Sequence, residues 1–450
     1  MAQKAVIGLD MGTDMIKFVE IRPGRTALEL VHLGLAPTPR ETISNGVIVD
    51  PETLGAAVRD LLSSQGVRTR TVVSSVAGQS SLVVRPIEVP RMTRQELADT
   101  MRWEVERHIP FAASEVIMDF QPMIAPEDLP PDAQNMDVLL AVAQEDMINA
   151  HVQTLLAANL EPTVIDVEPL SAARALVDIN ADQGAYDQVI ALVNVGATTT
   201  DISIIRSGLL SFTRPIPLAG DSITNAISEN LGVEIEQAEQ LKREEGRVFV
   251  DGATPALPSP QAAPAAPAPA ATAPAAPPPV SAPAEDEEAV SRPVFDLSSE
   301  LEEETTPKRP VFDLSAGEET PAPPSPPARD TAGPTLPSPT SPVGETGARR
   351  VYQAMLPTLT ELVTEIRRSV EYYGTRSGGA TVDRILLFGG TSLLPDLDQF
   401  LSREIGIPVH IPNTFERLLV ANPSYSEEYL ASVGRLFPVA VGLAIRDMIG

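Results

Sequence analysis

The chain is 450 residues long, with 61 acidic against 33 basic side chains, a net charge of -28 and no cysteine. So acidic a protein is not built to neutralise nucleic-acid phosphates, which takes clustered Lys and Arg. The missing thiols exclude disulfide scaffolds and Cys-ligated metal sites.

The N-terminus enters an apolar run at once, Ala5 to Asp10, without the basic region and cleavage site of a secretory signal. Met15 to Ile21 and Ala27 to Leu35 follow as β-rich runs, separated by Gly12-Thr13 and by Arg22-Pro23-Gly24-Arg25, the punctuation of antiparallel turns. A helix is predicted from Pro51 to Ser64, with Leu54, Val58, Leu61 and Leu62 on one stripe, and Thr71 to Ala77 resumes strand. A smaller unit is inserted over 82–143. Its helix runs from Arg94 to Arg107 and stops before Pro110, which disfavours helix in the residue ahead of it. Val116 to Ile124 and Met136 to Ala143 are its strands.

A helix from Asp146 to Asn159, a strand from Thr163 to Val167 and a helix from Ser171 to Asp178 lead to a new triple of strands. These are Val189 to Val195, Thr200 to Arg206 and Leu209 to Ile216, with helices near Ser222 to Asn230 and Glu234 to Glu244. The succession repeats the opening of the chain, so a duplication of fold, though not of sequence, is expected. Of the 44 prolines, 23 fall in the 98 residues 251–348, which hold only two aromatic residues, Phe295 and Phe312. A segment with so little apolar matter cannot offset the entropy of ordering its backbone and is expected to be a solvated linker. Beyond it come a helix from Thr358 to Tyr373, a strand from Arg384 to Phe388 and helices to the C-terminus. No window reaches the ~18 uninterrupted apolar residues that cross a bilayer, so a cytoplasmic protein is expected.

Three turns carry the candidate chemistry. In Asp10-Met11-Gly12-Thr13-Asp14-Met15-Ile16-Lys17, a Gly turn can bring backbone N–H groups and the Thr13 hydroxyl to a phosphate. Asp10 at the strand end can hold a hydrated Mg²⁺, and Lys17 adds positive charge. The second turn, Asn194-Val195-Gly196-Ala197-Thr198-Thr199-Thr200-Asp201, repeats the pattern. In the third, Gly389-Gly390-Thr391-Ser392 directly follow an apolar strand and permit close backbone approach to a base and ribose. Each alone is equally an ordinary tight turn. The four histidines, His32, His108, His151 and His410, show no ligand spacing.

Together, in this order, the turns resemble the phosphate 1, phosphate 2 and adenosine motifs of the actin, Hsp70 and sugar kinase superfamily. The resemblance covers nearly all of the chain outside the linker, with Ile165 to Leu176 and Pro438 to Arg446 as the connecting helix regions. Within it, Met101-Arg102-Trp103-Glu104-Val105-Glu106-Arg107-His108-Ile109-Pro110-Phe111, Leu218-Ala219-Gly220-Asp221-Ser222-Ile223-Thr224 and Val439-Ala440-Val441-Gly442-Leu443-Ala444 are similar to the PilM family of bacterial type IV pilus assembly, itself similar to the division protein FtsA.

The resemblance implies an α/β, actin-like fold of two lobes, each with a mixed five-stranded sheet, hinged around a cleft. The first lobe would comprise 1–81 with 144–180 and carry the subdomain 82–143; the second would comprise 181–250 and 349–450, its C-terminal helices returning to the first. It implies ATP with Mg²⁺ on Asp10, Gly12, Thr13, Lys17, Asn194, Gly196, Ala197, Thr198, Thr199, Gly220, Asp221, Gly389, Gly390, Thr391 and Ser392. Glu239, Lys242 and Arg243 would border the ribose and adenine, or simply form a solvated helix face. It further implies capture of the cytoplasmic N-terminal tail of the inner-membrane protein PilN, within a PilN/PilO complex. Trp103, Ile109, Pro110 and Phe111 are candidates for that groove, although core packing is the preferred reading of Trp103.

Many relatives open the second turn with Asp where this chain has Asn194, so slow or no turnover is expected. A division filament and a small-molecule kinase are the alternatives. The chain ends at Gly450 directly after its last predicted core helix, so membrane contact is expected through partners rather than by insertion. Within the linker, Arg292-Pro293-Val294-Phe295-Asp296-Leu297-Ser298 recurs as Arg309-Pro310-Val311-Phe312-Asp313-Leu314-Ser315. Such a pair suits bivalent binding of a pilus ATPase or other cytoplasmic protein, or is a functionless duplication.

Overall fold

The computed structural model describes residues 5–78, 81–104, 109, 112, 115–179, 184–250 and 345–449. Strand β1 (Val6–Met11) turns at Gly12 into β2 (Met15–Pro23), and β3 (Leu28–Pro37) completes an antiparallel run. A short hairpin, β4 (Ile43–Ser44) with β5 (Val47–Ile48), precedes α1 (Pro51–Ser64). Asp50 caps α1 by accepting from the Thr53 amide at 3.0 Å, and Pro51 occupies the first turn, where its missing N–H has no partner to lose. The apolar stripe of α1 buries Leu54 and Val58 against Ile7, Leu9, Ile16 and Phe18 of the sheet. β6 (Thr71–Val76) then pairs parallel with β1.

The inserted subdomain comprises β7 (Leu82–Pro90), α2 (Arg94–Glu104), β8 (Val116–Pro122) and β9 (Asn135–Gln144), in the strand order β7-β9-β8. α2 opens with a capping box: the Thr93 amide donates to Glu96 Oε2 at 2.8 Å and the Glu96 amide donates to Thr93 Oγ1 at 3.3 Å. Leu97 and Met101 pack beneath it on Val138 and Leu140. The remainder of the predicted helix, 105–107, lies outside the described residues.

The chain returns through α3 (Glu145–Ala157), β10 (Glu161–Val167) and α4 (Glu168–Leu176). β11 (Val189–Val195), β12 (Thr200–Arg206) and β13 (Leu209–Ile216) form the second antiparallel triple, followed by α5 (Gly220–Leu231) and α6 (Ile235–Glu244). After residues 251–344 come α7 (Glu345–Arg376), β14 (Arg384–Phe388), α8 (Leu397–Ile405), β15 (Val409–His410), β16 (Leu419–Val420), α9 (Glu427–Val433) and α10 (Pro438–Ala444).

The sheets read β10-β6-β1-β2-β3-β16 and β13-β12-β11-β14-β15. Leaving β16 aside, both follow one scheme: an antiparallel triple, then two strands added parallel to its first member. The first sheet therefore has six strands rather than five. β16 comes from the far end of the chain and is only two residues long, too short to carry a periodic signal. The helix expected from Thr358 begins at Glu345, inside the span assigned to the linker, and carries Pro357 in its interior.

α4 and α10 lie in one apolar cluster with Val19, Leu33 and Val73 of the first sheet and Ile190, Leu192 and Phe388 of the second. Every residue of α10 is buried. Withholding Val439, Val441 and Leu443 from water contributes on the order of 5–9 kcal/mol before entropy is subtracted. Asp166 ties the two helix regions together, with Arg174 Nη1 at 3.1 Å and Arg446 Nε at 3.6 Å.

His151 of α3 is buried beside Ser74 of β6, its Nε2 2.9 Å from Ser74 Oγ, while Ser74 Oγ donates to the Leu9 carbonyl at 2.8 Å. Burial disfavours the imidazolium and pulls the pKa down to about 4. The folded chain thus binds fewer protons than the unfolded chain below the ordinary histidine pKa, and stability is lost as pH falls. Between pH 6.5 and 5 the wild type should lose about 2 kcal/mol that His151→Gln does not. Urea unfolding of both at the two pH values checks this; parallel losses would refute it.

Candidate functional site

The two Gly turns are built alike. The Gly12 amide donates to the Met15 carbonyl at 3.1 Å, and the Gly196 amide donates to the Thr199 carbonyl at 2.9 Å. The turns meet face to face, with Thr13 Oγ1 3.4 Å from Thr198 Oγ1. Around them three distant segments are knitted together. The Gly220 amide donates to the Gly196 carbonyl at 3.2 Å, the Asp221 amide to the Ala197 carbonyl at 2.8 Å, and Thr391 Oγ1 to the Gly196 carbonyl at 2.7 Å.

Gly389 closes the arrangement. Its φ of +92° lies in the region that favours glycine, and a Cβ would come within 2.6 Å of the Val195 carbonyl and collide with Asn194 Oδ1. Nothing lies within 4 Å of the Cβ position of Gly390, so the loop is open there. Ser392 is turned inward, its Oγ donating to the Gly389 carbonyl at 2.7 Å.

α6 joins on the same side. Lys242 Nζ donates to the Gly220 carbonyl at 3.1 Å and to Thr224 Oγ1 at 2.7 Å, and pairs with Glu239 at 2.5 Å. It is therefore an inward-turned cation and not part of a solvated helix face. Arg243 pairs with Glu239 at 2.7 Å and reaches Asp14 of the first turn at 3.7 Å. Burial raises the Glu239 carboxyl, but hydrogen bonds from Lys242, Thr224 and Arg243 outweigh it and leave the pKa lowered. Burial raises that of Asp221, opposed by Lys242 and reinforced by Glu239 and Asp14.

At the foot of the turns the ladder register sets the charges. Asp10 stands opposite Lys17 across β1 and β2, and the two pair at 2.7 Å. At the equivalent place in the second sheet, Asn194 stands opposite Asp201. The charge that Asn194 lacks is thus supplied across the ladder. Glu168, the first residue of α4, lies between: Asn194 Nδ2 donates to it at 3.4 Å. Part of its surface is open, but protein atoms surround the carboxyl. Burial pushes its pKa well above the usual range, reinforced by Asp10 and Asp201 and opposed by Lys17. Burial likewise lifts Asp201 to about 6, against a hydrogen bond from Thr199. Glu168, Asn194, Asp201, Ser203 and Phe388 are among the residues lining a cavity of about 10 Å³, the size of one water.

The contacts link Asp10, Gly12, Thr13, Lys17, Asn194, Gly196, Ala197, Thr198, Thr199, Gly220, Asp221, Glu239, Lys242, Arg243, Gly389, Gly390, Thr391 and Ser392, together with Glu168 and Asp201, into one neighbourhood. The signal for Glu168 was a carboxylate at a strand-to-helix junction, Asp166-Val167-Glu168-Pro169; that for Asp201 was its place opposite Asn194. Trp103 lies elsewhere, on α2, and is 76% exposed, which corrects the core-packing reading. Ile109 packs against the subdomain core. Pro110, Phe111 and both Arg-Pro-Val-Phe-Asp-Leu-Ser copies lie outside the described residues.

Two sheets of matching topology, joined through α4 and α10 with hairpin turns meeting at Thr13 and Thr198, define an actin-like fold. The chain belongs to the family of type IV pilus assembly protein PilM, whose family model matches residues 8–248. A model for cell division protein FtsA matches residues 191–432. The FtsA of Bacillus subtilis is 23% identical over 55% of this chain, and that of Pseudomonas aeruginosa 26% identical over 53%. The chain spans 59% and 60% of those two proteins. A solved PilM-PilN type IV pilus biogenesis complex superposes with a TM-score of 0.70 at 23% identity, covering 99% of this chain and 98% of that one. Among the described residues, no helix is long and apolar enough to cross a membrane.

Proposed function

We propose that the chain is an ATP-binding assembly protein of type IV pilus biogenesis that captures the cytoplasmic tail of a PilN-like inner-membrane protein. The observation carrying the nucleotide part is the convergence of turns 12–15 and 196–199 with loop 389–392, whose Gly backbones and Thr hydroxyls suit phosphate and ribose. A Mg²⁺ fits the donor set: Asp10 and Asp201 both act on Glu168, Lys17 opposes them while paired with Asp10, and a divalent cation would relieve the excess negative charge. Among the described residues, no three carboxylate or imidazole side chains are arranged to hold a metal alone. The ion would therefore be held jointly by water, Asp10 and the phosphates, whose charge it would neutralise.

In this reading Thr13 and Thr198 orient the phosphates from the two lobes, Lys17 binds their oxygens, and Lys242 and Arg243 bring α6 over the sugar. Glu168 holds the position from which a water could be polarised, but it is biased toward its protonated form by burial. Asn194, an uncharged residue where a carboxylate would help position the attacking water, supports slow turnover, well below the roughly 1 per second of an ordinary enzyme. Support for the tail comes from the PilM-PilN complex and from Trp103, an exposed aromatic anchor of the kind that dominates peptide contacts. Membrane association would then be peripheral, through the partner.

Titration calorimetry with ATP and Mg²⁺, then with a peptide copying the partner's cytoplasmic N-terminus, tests both halves. Saturable heat is expected from each, with Trp103→Ala weakening the peptide roughly tenfold or more. Absence of nucleotide heat would remove the site assignment, and absence of peptide heat the adaptor role. ATP-dependent polymer without peptide affinity would favour the FtsA-like filament instead.

A further inference from the structure

The residues on either side of the 251–344 segment form one cluster. On the N-terminal side the chain leaves α6 through Glu245 and Gly246 and runs to Val250. On the C-terminal side it re-enters at the start of α7. The Phe249 ring meets that of Tyr352 edge-on, centroids 5.4 Å apart, and is covered by the guanidinium groups of Arg349 at 4.8 Å and Arg247 at 5.4 Å. Glu245 lies so close to Gly347 that a Cβ there would be 2.5 Å from Glu245 Oε2.

The same few residues touch the loop that follows Gly389-Gly390-Thr391-Ser392. The Val248 amide donates to the Pro395 carbonyl at 3.0 Å, and Arg247 Nη2 donates to Asp396 Oδ2 at 3.2 Å. Leu394, whose amide donates to the Thr391 carbonyl at 3.1 Å, would lie 3.1 Å from a Cβ at Gly246. Asp396 holds a φ of +66°, which is uncommon for a residue other than glycine. One turn of helix before Gly246, Lys242 is anchored on the Gly220 carbonyl. The stretch Lys242 to Val250 thus spans from one wall of the cleft to the foot of the inserted segment.

We propose that Phe249, Arg247, Arg349 and Tyr352 form a coupling node through which nucleotide in the cleft tightens the root of the 251–344 segment, and through which strain on that root loosens the nucleotide. The inference rests on the nucleotide reading above and adds regulation of that site. A ligand that draws the Gly389–Ser392 loop and Lys242 together also fixes Pro395 and Asp396, on which Val248 and Arg247, the two residues before Phe249, are anchored. Linkage makes the effect reciprocal: whatever stabilises the open root raises the nucleotide dissociation constant by the same factor.

Hydrogen exchange on the full chain, with and without saturating ATP and Mg²⁺, reads the root directly at amides 246–250 and 348–352. These should slow roughly fivefold or more with nucleotide. In Phe249→Ala the protection should disappear and the nucleotide dissociation constant rise by a similar factor. Arg349→Gln, which leaves the Phe249–Tyr352 ring pair in place, should show part of both effects. Bound nucleotide without root protection in the wild type, or protection and affinity unchanged in both variants, would overturn the node while leaving the site standing. No nucleotide binding by calorimetry on the same sample would overturn both.

Discussion

Gly442→Ala should destabilise the chain by about 3 kcal/mol or more and lower the thermal midpoint by roughly 6–10 °C, measured by calorimetry. A methyl group at Gly442 has no space to enter. It would collide with the Ser171 carbonyl oxygen and lie 2.5 Å from the carbonyl carbon, and these are backbone atoms that cannot rotate aside. Gly8 makes the matching contact on the other side, where a Cβ would collide with the Ala440 carbonyl and lie 2.6 Å from the Ala444 amide nitrogen. α10 is thus in backbone contact with both α4 and β1. Arg174 Nη1 reinforces the contact by donating to the Gly442 carbonyl at 2.9 Å. Gly390→Ala is the control, because a Cβ there meets nothing within 4 Å and should leave the midpoint nearly unchanged. A Gly442→Ala midpoint equal to the wild type would mean that the two helices do not touch. The same substitution should also weaken nucleotide binding, since α4 begins at Glu168 and must move to admit the methyl.

The parts of this fold that could be read from the sequence are those where local pattern and tertiary role agree. Val189 to Val195, Thr200 to Arg206 and Leu209 to Ile216 are apolar runs bounded by Gly turns, and they form strands over those spans. β7 was not foreseen, because Pro86 and Pro90 interrupt its pattern. They are tolerated because β7 is an edge strand of its sheet, paired only with β9 there. The first three turns of α7 were missed for a similar reason, with Gly347 and Pro357 lying inside a helix that tertiary contacts maintain. In the cleft, glycine and threonine mark turns in any sequence, so the loops were legible as loops. Glu168 and Asp201 were not, because their significance comes from register and burial. Asp201 matters because it stands opposite Asn194 across the ladder, and Glu168 because α4 delivers it against Asn194.

That buried carboxylate group sets the second large effect. Asp201→Asn should stabilise the nucleotide-free chain by up to about 3 kcal/mol at pH 8 but only by about 1 kcal/mol at pH 4.5. The direction follows from linkage. Burial lifts the folded pKa of Asp201 to about 6, above its ordinary value of 3.8. Between those values the folded chain holds a proton that the unfolded chain has released, so its stability falls as pH rises and stays lower above pH 6. A displacement of about two units is worth about 3 kcal/mol. Glu168, raised in the same direction by burial and by its acidic neighbours, shares that cost, so Glu168→Gln should behave alike. Other carboxylates with lowered pKa, Glu239 among them, give the wild type an opposing slope. The difference between variant and wild type in urea unfolding from pH 4.5 to 8 is therefore the quantity to measure, and a difference that does not change with pH would refute the assignment. With ATP and Mg²⁺ present the ranking should reverse, because the negative charge that burdens the empty cleft is what a bound cation would draw on. On the proposed reading, the stability that Asp201 and Glu168 cost the empty chain would be recovered when nucleotide and cation bind.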